Sequence, residues 1–152
     1  MLKLSLKFSI SGSTFFYPNQ TRYVVVSNYP LVVPSVSAGI RNVIIGRGTI
    51  AWVPSSTMGT VPIFLFSNIV TTSTTSGTVT VSGMAGSQES ILLRSVEVDV
   101  IFKDKDQISV GASRTVIDQI PANGSVPFSI SYPSSPDMVP NNTLVVGYAL
   151  RN

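Results

Sequence analysis

Three groups of side chains carry the residue types that chemistry needs. Asp104, Lys105 and Asp106 form the densest cluster of ionisable groups, and two carboxylates at i, i+2 beside Asp99 are ligands of the kind Ca²⁺ takes. The same triplet lies between two stretches of alternating polarity, where Asp and Lys belong to the tip of a hairpin, and Lys105 opposes a cation. The hairpin tip is the expected reading. Glu97 and Asp99 share one face of an alternating segment, roughly 7 Å apart, a separation compatible with a glycosidase pair. A strand that alternates valine with acid produces that spacing unaided, so a solvated strand face is expected there. Gly46-Arg47-Gly48 has the look of a phosphate loop, but neither a complete dinucleotide fingerprint nor a P-loop surrounds it. Glycines within a strand more often mark a bulge or a close backbone approach.

What is missing narrows the chemistry further. The chain has no Cys, which excludes disulfides, thiolate metal sites and thiol nucleophiles. It has no His, which removes the usual general acid/base near neutral pH, a common metal ligand and every imidazole-dependent triad. No catalytic residue, metal ligand, cofactor or small-molecule substrate is therefore expected. Trp52 with Phe15, Tyr17, Tyr23 and Tyr29 would suit a sugar-binding platform, although aromatic residues on strands are usually core. Asn19, Asn123 and Asn141 each open a glycosylation acceptor triplet in a predicted loop.

These groups must be positioned by strands. Leu2, Leu4, Leu6, Phe8 and Ile10 alternate with Lys3, Ser5, Lys7 and Ser9, the period of a half-buried strand. The alternation returns at 78–81, 96–100, 108–110 and 126–132. Runs apolar on both faces, at 23–26, 43–45, 50–53, 61–66 and 144–150, are short and rich in β-branched and aromatic residues, which favours strand over buried helix. No capped 3.6-residue period is sustained anywhere, so no long helix is expected. Strands are predicted near 2–10, 21–27, 42–53, 61–70, 77–83, 91–103, 107–118, 125–132 and 143–150, with 70–77 as a long loop within one domain. Many short strands at this spacing predict an all-β antiparallel sandwich, a jelly roll in preference to an immunoglobulin-like pair of sheets. At 152 residues the chain is expected to form a single domain, with 1–12 as an N-terminal strand or arm.

Hydrophobic residues make up 43% of the chain and charged residues only 11%, against about a quarter in an ordinary soluble domain. Such a surface is either buried against other subunits or covered by uncharged Ser and Thr. Five basic and no acidic residues give the first 88 positions a charge of +5, while five basic and seven acidic residues leave −2 in the remainder. A basic half suits nucleic acid, a membrane surface or the acidic half of a neighbour. No apolar run approaches the roughly twenty residues of a membrane-spanning helix. Lys7 interrupts what would be the apolar stretch of a signal peptide, so the expectation is a protein that reaches its destination by assembly or lysis, or a numbering that begins after processing.

Two resemblances add to this. From residue 76 onward, 77–83, 96–106 and 120–130 resemble extracellular immunoglobulin-like modules of the FxLYD and CARDB type, except that Gln107 stands where that pattern often has Gly. The resemblance implies a sandwich topology for half of the chain. The whole chain, with about nine strands, a low-charge Ser/Thr/Val/Pro composition, a start inside a strand and neither Cys nor His, is similar to the small coat proteins of viruses of hot-spring archaea. That similarity implies a single jelly roll standing upright in a shell, in a thermophile's virion.

The expected function is accordingly structural and not enzymatic: a virion capsid or capsid-associated subunit that forms homo-oligomers. Its partners are copies of itself and other virion proteins, with nucleic acid or membrane contact through the basic half. Leu2, Leu4, Leu6, Phe8 and Ile10 are the candidate assembly interface. The alternatives are a subunit of an extracellular filament or surface layer at the cell surface, joined by N-terminal strand donation, and a carbohydrate-binding sandwich.

Overall fold

The computed structural model describes residues 60–75 and 77–149, with Phe15, Tyr17, Gln20, Arg22, Tyr23 and Val25 from the upstream chain. The described strands are β1 (Phe64–Ser73), β2 (Thr78–Ser87), β3 (Leu93–Lys103), β4 (Ser109–Ile120), β5 (Ser125–Pro133) and β6 (Leu144–Tyr148). All ladders are antiparallel, and they form two three-stranded sheets, β1-β2-β5 and β4-β3-β6. The all-β sandwich expected from the alternation is the fold. Six of the nine predicted strands coincide with these elements. The predicted strands at 2–10 and 42–53, and most of 21–27, lie outside the described residues.

Alternation explains which faces meet. In β3, Val96, Val98, Val100 and Phe102 point inward and are fully buried. Opposite them stand Val79 and Val81 of β2 and Phe128 and Ile130 of β5. Each fully buried side chain of this size contributes roughly 1.5–3 kcal/mol of transfer free energy, so this two-layer valine core holds the sheets together. Aromatic contacts close its ends. Phe66 meets Phe128 edge-on with centroids 5.9 Å apart, and Phe102 stacks on Tyr132 at 5.1 Å. Gly111 makes room for that stack, since a β-carbon there would sit 2.7 Å from the Tyr132 ring.

Two features depart from simple alternation. Ser95 takes a left-handed conformation (φ 49°), and Leu93 and Val96, three residues apart, both enter the core. The loop expected at 70–77 is instead the end of β1 and a tight turn. The Thr74 N–H donates to the Thr78 carbonyl at 2.9 Å, the Thr78 N–H to the Thr74 hydroxyl at 3.2 Å, and Gly77 supplies the left-handed residue at φ 79°. β-branched threonines extend the strand as readily as valine does, which is why a Thr-rich stretch is ladder here and not linker.

Candidate functional site

The β3–β4 hairpin decides what its outer face carries. Asp104 makes the turn: its carboxylate accepts from the backbone N–H of Asp106 at 2.9 Å and of Ile108 at 2.8 Å, while Lys105 pairs with Asp106 at the exposed tip. Gln107 adopts φ 64°, the conformation for which glycine is the ordinary choice. The carboxylates of the triplet thus serve a turn, as expected. Just below it the register shifts by one residue between Phe102 and Lys103, and this bulge sets Arg114 opposite Asp99.

Glu97 and Asp99 share the outer face of β3, as alternation requires, but Glu97 is only partly exposed and Asp99 is buried. Asp99 is 0% exposed. The Arg114 guanidinium binds it with two parallel hydrogen bonds, Nε to Oδ1 at 2.6 Å and Nη2 to Oδ2 at 2.9 Å, and reaches Glu97 with Nη1 at 3.0 Å. Arg22, from far upstream, pairs with the same Glu97 oxygen. The Arg22 plane lies over Phe15 at 4.2 Å and over Tyr148 at 4.3 Å, and its Nη1 donates to the Phe15 carbonyl at 3.1 Å. Its Nε is buried without a hydrogen-bond partner. Two further bonds tie the same upstream segment to β6. The Tyr17 hydroxyl donates to the Ala149 carbonyl at 3.3 Å, and the Tyr23 N–H donates to the Tyr148 hydroxyl at 2.9 Å.

Burial of the charges corrects the solvated-face expectation, and the physical reason is that the upstream chain returns over this sheet. The hydrogen bond to Asp99 pushes the Arg114 guanidinium above its ordinary value; burial works against this, and the Asp99 and Glu97 charges add to it. Burial pushes the Tyr148 phenol up. Two arginines and two carboxylates, mutually neutralised and stacked on rings, make a clasp. The positive charge of Arg22 is spent inside it. Among the described residues, this leaves the basic half of the chain no free cation to offer a polyanion.

The other sheet is its opposite. β1, β2 and β5 contain no charged residue at all. The ladders place Leu65, Ser67, Val70 and Thr72 of β1 on its outer face beside Thr80, Ser82 and Met84 of β2, with Pro127, Ser129 and Ser131 of β5 beyond. Leu65 and Val70 are 52% and 53% exposed. Hydroxyls cross-link the face, Thr80 to Ser131 at 2.9 Å. Backbone and hydroxyl groups are thus partly satisfied among themselves, which lowers the cost of removing this face from water.

Between the sheets, on the side where β1 faces β6, lies a groove of about 410 Å³ lined by Tyr23, Pro62, Phe64, Phe66, Val145 and Tyr148 among others. Gly147 opens it: a β-carbon there would stand 2.9 Å from Phe64 and 3.0 Å from Phe66.

Among the remaining sequence-derived candidates, Tyr17 is buried at 3% and Phe15 stacks edge-on to it and under Arg22, so neither offers an open sugar platform. Asn123, at φ 49°, and Asn141 are exposed in loops. Leu2, Leu4, Leu6, Phe8 and Ile10, together with Gly46-Arg47-Gly48, Asn19, Tyr29 and Trp52, lie outside the described residues. Sequence reasoning missed Arg114 and Arg22 as partners of the acidic pair. Counting back from the Asp104 turn approaches Arg114, but the bulge alters the count by one, and no local signal points to Arg22. The chain matches no protein-family model and no curated protein.

Proposed function

We propose that this protein is a structural subunit that works by assembling with copies of itself, a coat or coat-associated component of a virion whose other partners are virion proteins. One observation carries the reading: a sheet of three strands presents an outer face of Leu, Val, Met, Pro, Ser and Thr with no charge on any of its strands. Isolated sheets exposed to water keep charges on their outer faces and edges against unwanted association. A face that omits them fits a protein neighbour, and a standard interface needs about 800 Å² from each partner. The charge distribution supports the same reading from the other side, because Glu97, Asp99 and Arg114 of the second sheet are neutralised within the clasp with Arg22.

A second reading, a subunit of an extracellular filament or surface layer, draws on β6, which among the described residues pairs with β3 alone.

Sizing and negative-stain microscopy of the purified chain test the proposal, alongside Ser82→Lys at the centre of the uncharged face. Regular multimers are expected from the parent chain. The variant is expected to stay monomeric with a stability within about 0.5 kcal/mol of the parent, as for ordinary surface substitutions. A parent chain that remains a single copy at high concentration, or a variant that assembles unchanged, overturns it.

A further inference from the structure

We propose that Asn123 is a site of self-modification: the Asn123-Gly124 pair deamidates through a succinimide, at a rate set by the opening of the β4–β5 turn that carries it.

The chemistry is intramolecular and needs only solvent. The Gly124 backbone nitrogen gives its proton to solvent base and attacks Cγ of Asn123. The N–Cγ bond forms, the Cγ–Nδ2 bond breaks and ammonia leaves. Water then opens the five-membered imide at either carbonyl and leaves aspartate or isoaspartate, so that amide and water have become carboxylate and ammonia. Closure is easiest where the following residue has no β-carbon to obstruct a close backbone approach, and Asn123-Gly124 is the one Asn-Gly pair in the chain. Asn123 is exposed, at an open depression of about 350 Å³ lined also by Ser87, Gln88 and Ser125.

The turn both calls for the labile pair and restrains it. Asn123 is left-handed at φ 49°, a conformation asparagine takes more readily than most residues. A β-carbon on Gly124 would stand 2.9 Å from Cβ of Pro121, so glycine is required next to it. The attacking nitrogen, however, is engaged: the Gly124 N–H donates to the Pro121 carbonyl at 3.0 Å. The Asn123 N–H donates to the Glu89 carbonyl at 2.8 Å, and the Gly124 carbonyl accepts from the Ser87 N–H at 3.0 Å. Turning the 123–124 peptide so that its nitrogen meets Cγ breaks the bond to Pro121 and displaces the bond to Ser87. The folded chain therefore reacts through the fraction in which this turn is open.

Asn68 serves as an internal control. It too is left-handed, at φ 54°, and exposed, but the β-branched Ile69 follows it and crowds the nitrogen. The products differ from the parent in ways that can be read. Isoaspartate lengthens the main chain between residues 123 and 124, so Gly124 cannot keep both of its bonds and the end of β2 and the start of β5 loosen. Either product adds a negative charge where β5 begins, in a sheet whose three strands carry none.

The full chain is incubated at mildly alkaline pH, folded and in denaturing urea, and the products are separated by ion exchange and located by peptide mass. Deamidation is expected at Asn123 and not at Asn68, at least about tenfold slower in the folded chain than in urea. Pro121→Gly, which loosens the turn, is expected to speed the folded reaction several-fold, with unchanged circular dichroism and an unchanged rate in urea. A second measurement uses the parent chain alone: in rising sub-denaturing urea, deamidation is expected to increase in proportion to hydrogen exchange of the Gly124 amide. An unfolded chain that leaves Asn123 intact removes the site. Equal rates folded and unfolded, a folded Pro121→Gly chain no faster than the parent, or a deamidation rate that does not follow Gly124 exchange overturns the control by the turn.

Discussion

Arg114 closes on Asp99 across the β3–β4 ladder with two parallel hydrogen bonds of 2.6 and 2.9 Å, and that carboxylate has no exposure to solvent. Removing either member leaves a charge stranded beneath the upstream chain. Arg114→Ala is expected to cost about 3 kcal/mol, the lower end of what breaking a buried pair costs. The double variant Asp99→Leu/Arg114→Leu is expected to regain most of that loss, because it strands nothing. Urea denaturation of the two variants and the parent measures both; a double variant as unstable as the single one counts against the account.

Tyr148 makes stability sensitive to alkali. Burial raises its pKa above the ordinary value of 10.0, so the unfolded chain gives up this proton at lower pH than the folded one. The contribution is complete below pH of about 10 and is lost as pH rises through the folded-state value. Arg114, also raised, acts in the same sense only at still higher pH, beyond the working range. The urea midpoint is expected to fall between pH 9 and roughly 11, and Tyr148→Phe is expected to flatten that fall. A slope unchanged in the phenylalanine variant removes Tyr148 as its cause.

Arg22 holds the upstream segment by stacking between Phe15 and Tyr148 and by pairing with Glu97. Arg22→Ala loses the packing and the charge together, whereas Arg22→Met keeps the apolar stem. Limited proteolysis is expected to cut between residues 15 and 25 several-fold faster in the alanine variant, with the methionine variant between it and the parent, while the β-sheet circular dichroism stays unchanged. Equal cleavage rates in all three chains would show that the clasp is not what retains the segment.

Much of this molecule was legible in its residues taken in order. Period two along 96–102 and 126–132 places Val96, Val98, Val100, Phe102, Phe128 and Ile130 inside, because a strand has only two faces and valine and phenylalanine leave water together. The Asp104 turn and the absence of charge from β1, β2 and β5 were legible in the same way, being matters of composition and neighbouring residues. The ion-pair clasp was not. It depends on a one-residue bulge that sets Arg114, and not Ser113, opposite Asp99, and on Arg22 arriving from 75 residues away. The β1–β6 groove likewise exists only because strands distant in the chain come to lie in facing sheets. Local sequence dictates which face of a strand is greasy. Register, and which distant segment covers a buried charge, follow from the energy of the assembled chain, where one residue of slip exchanges every partner.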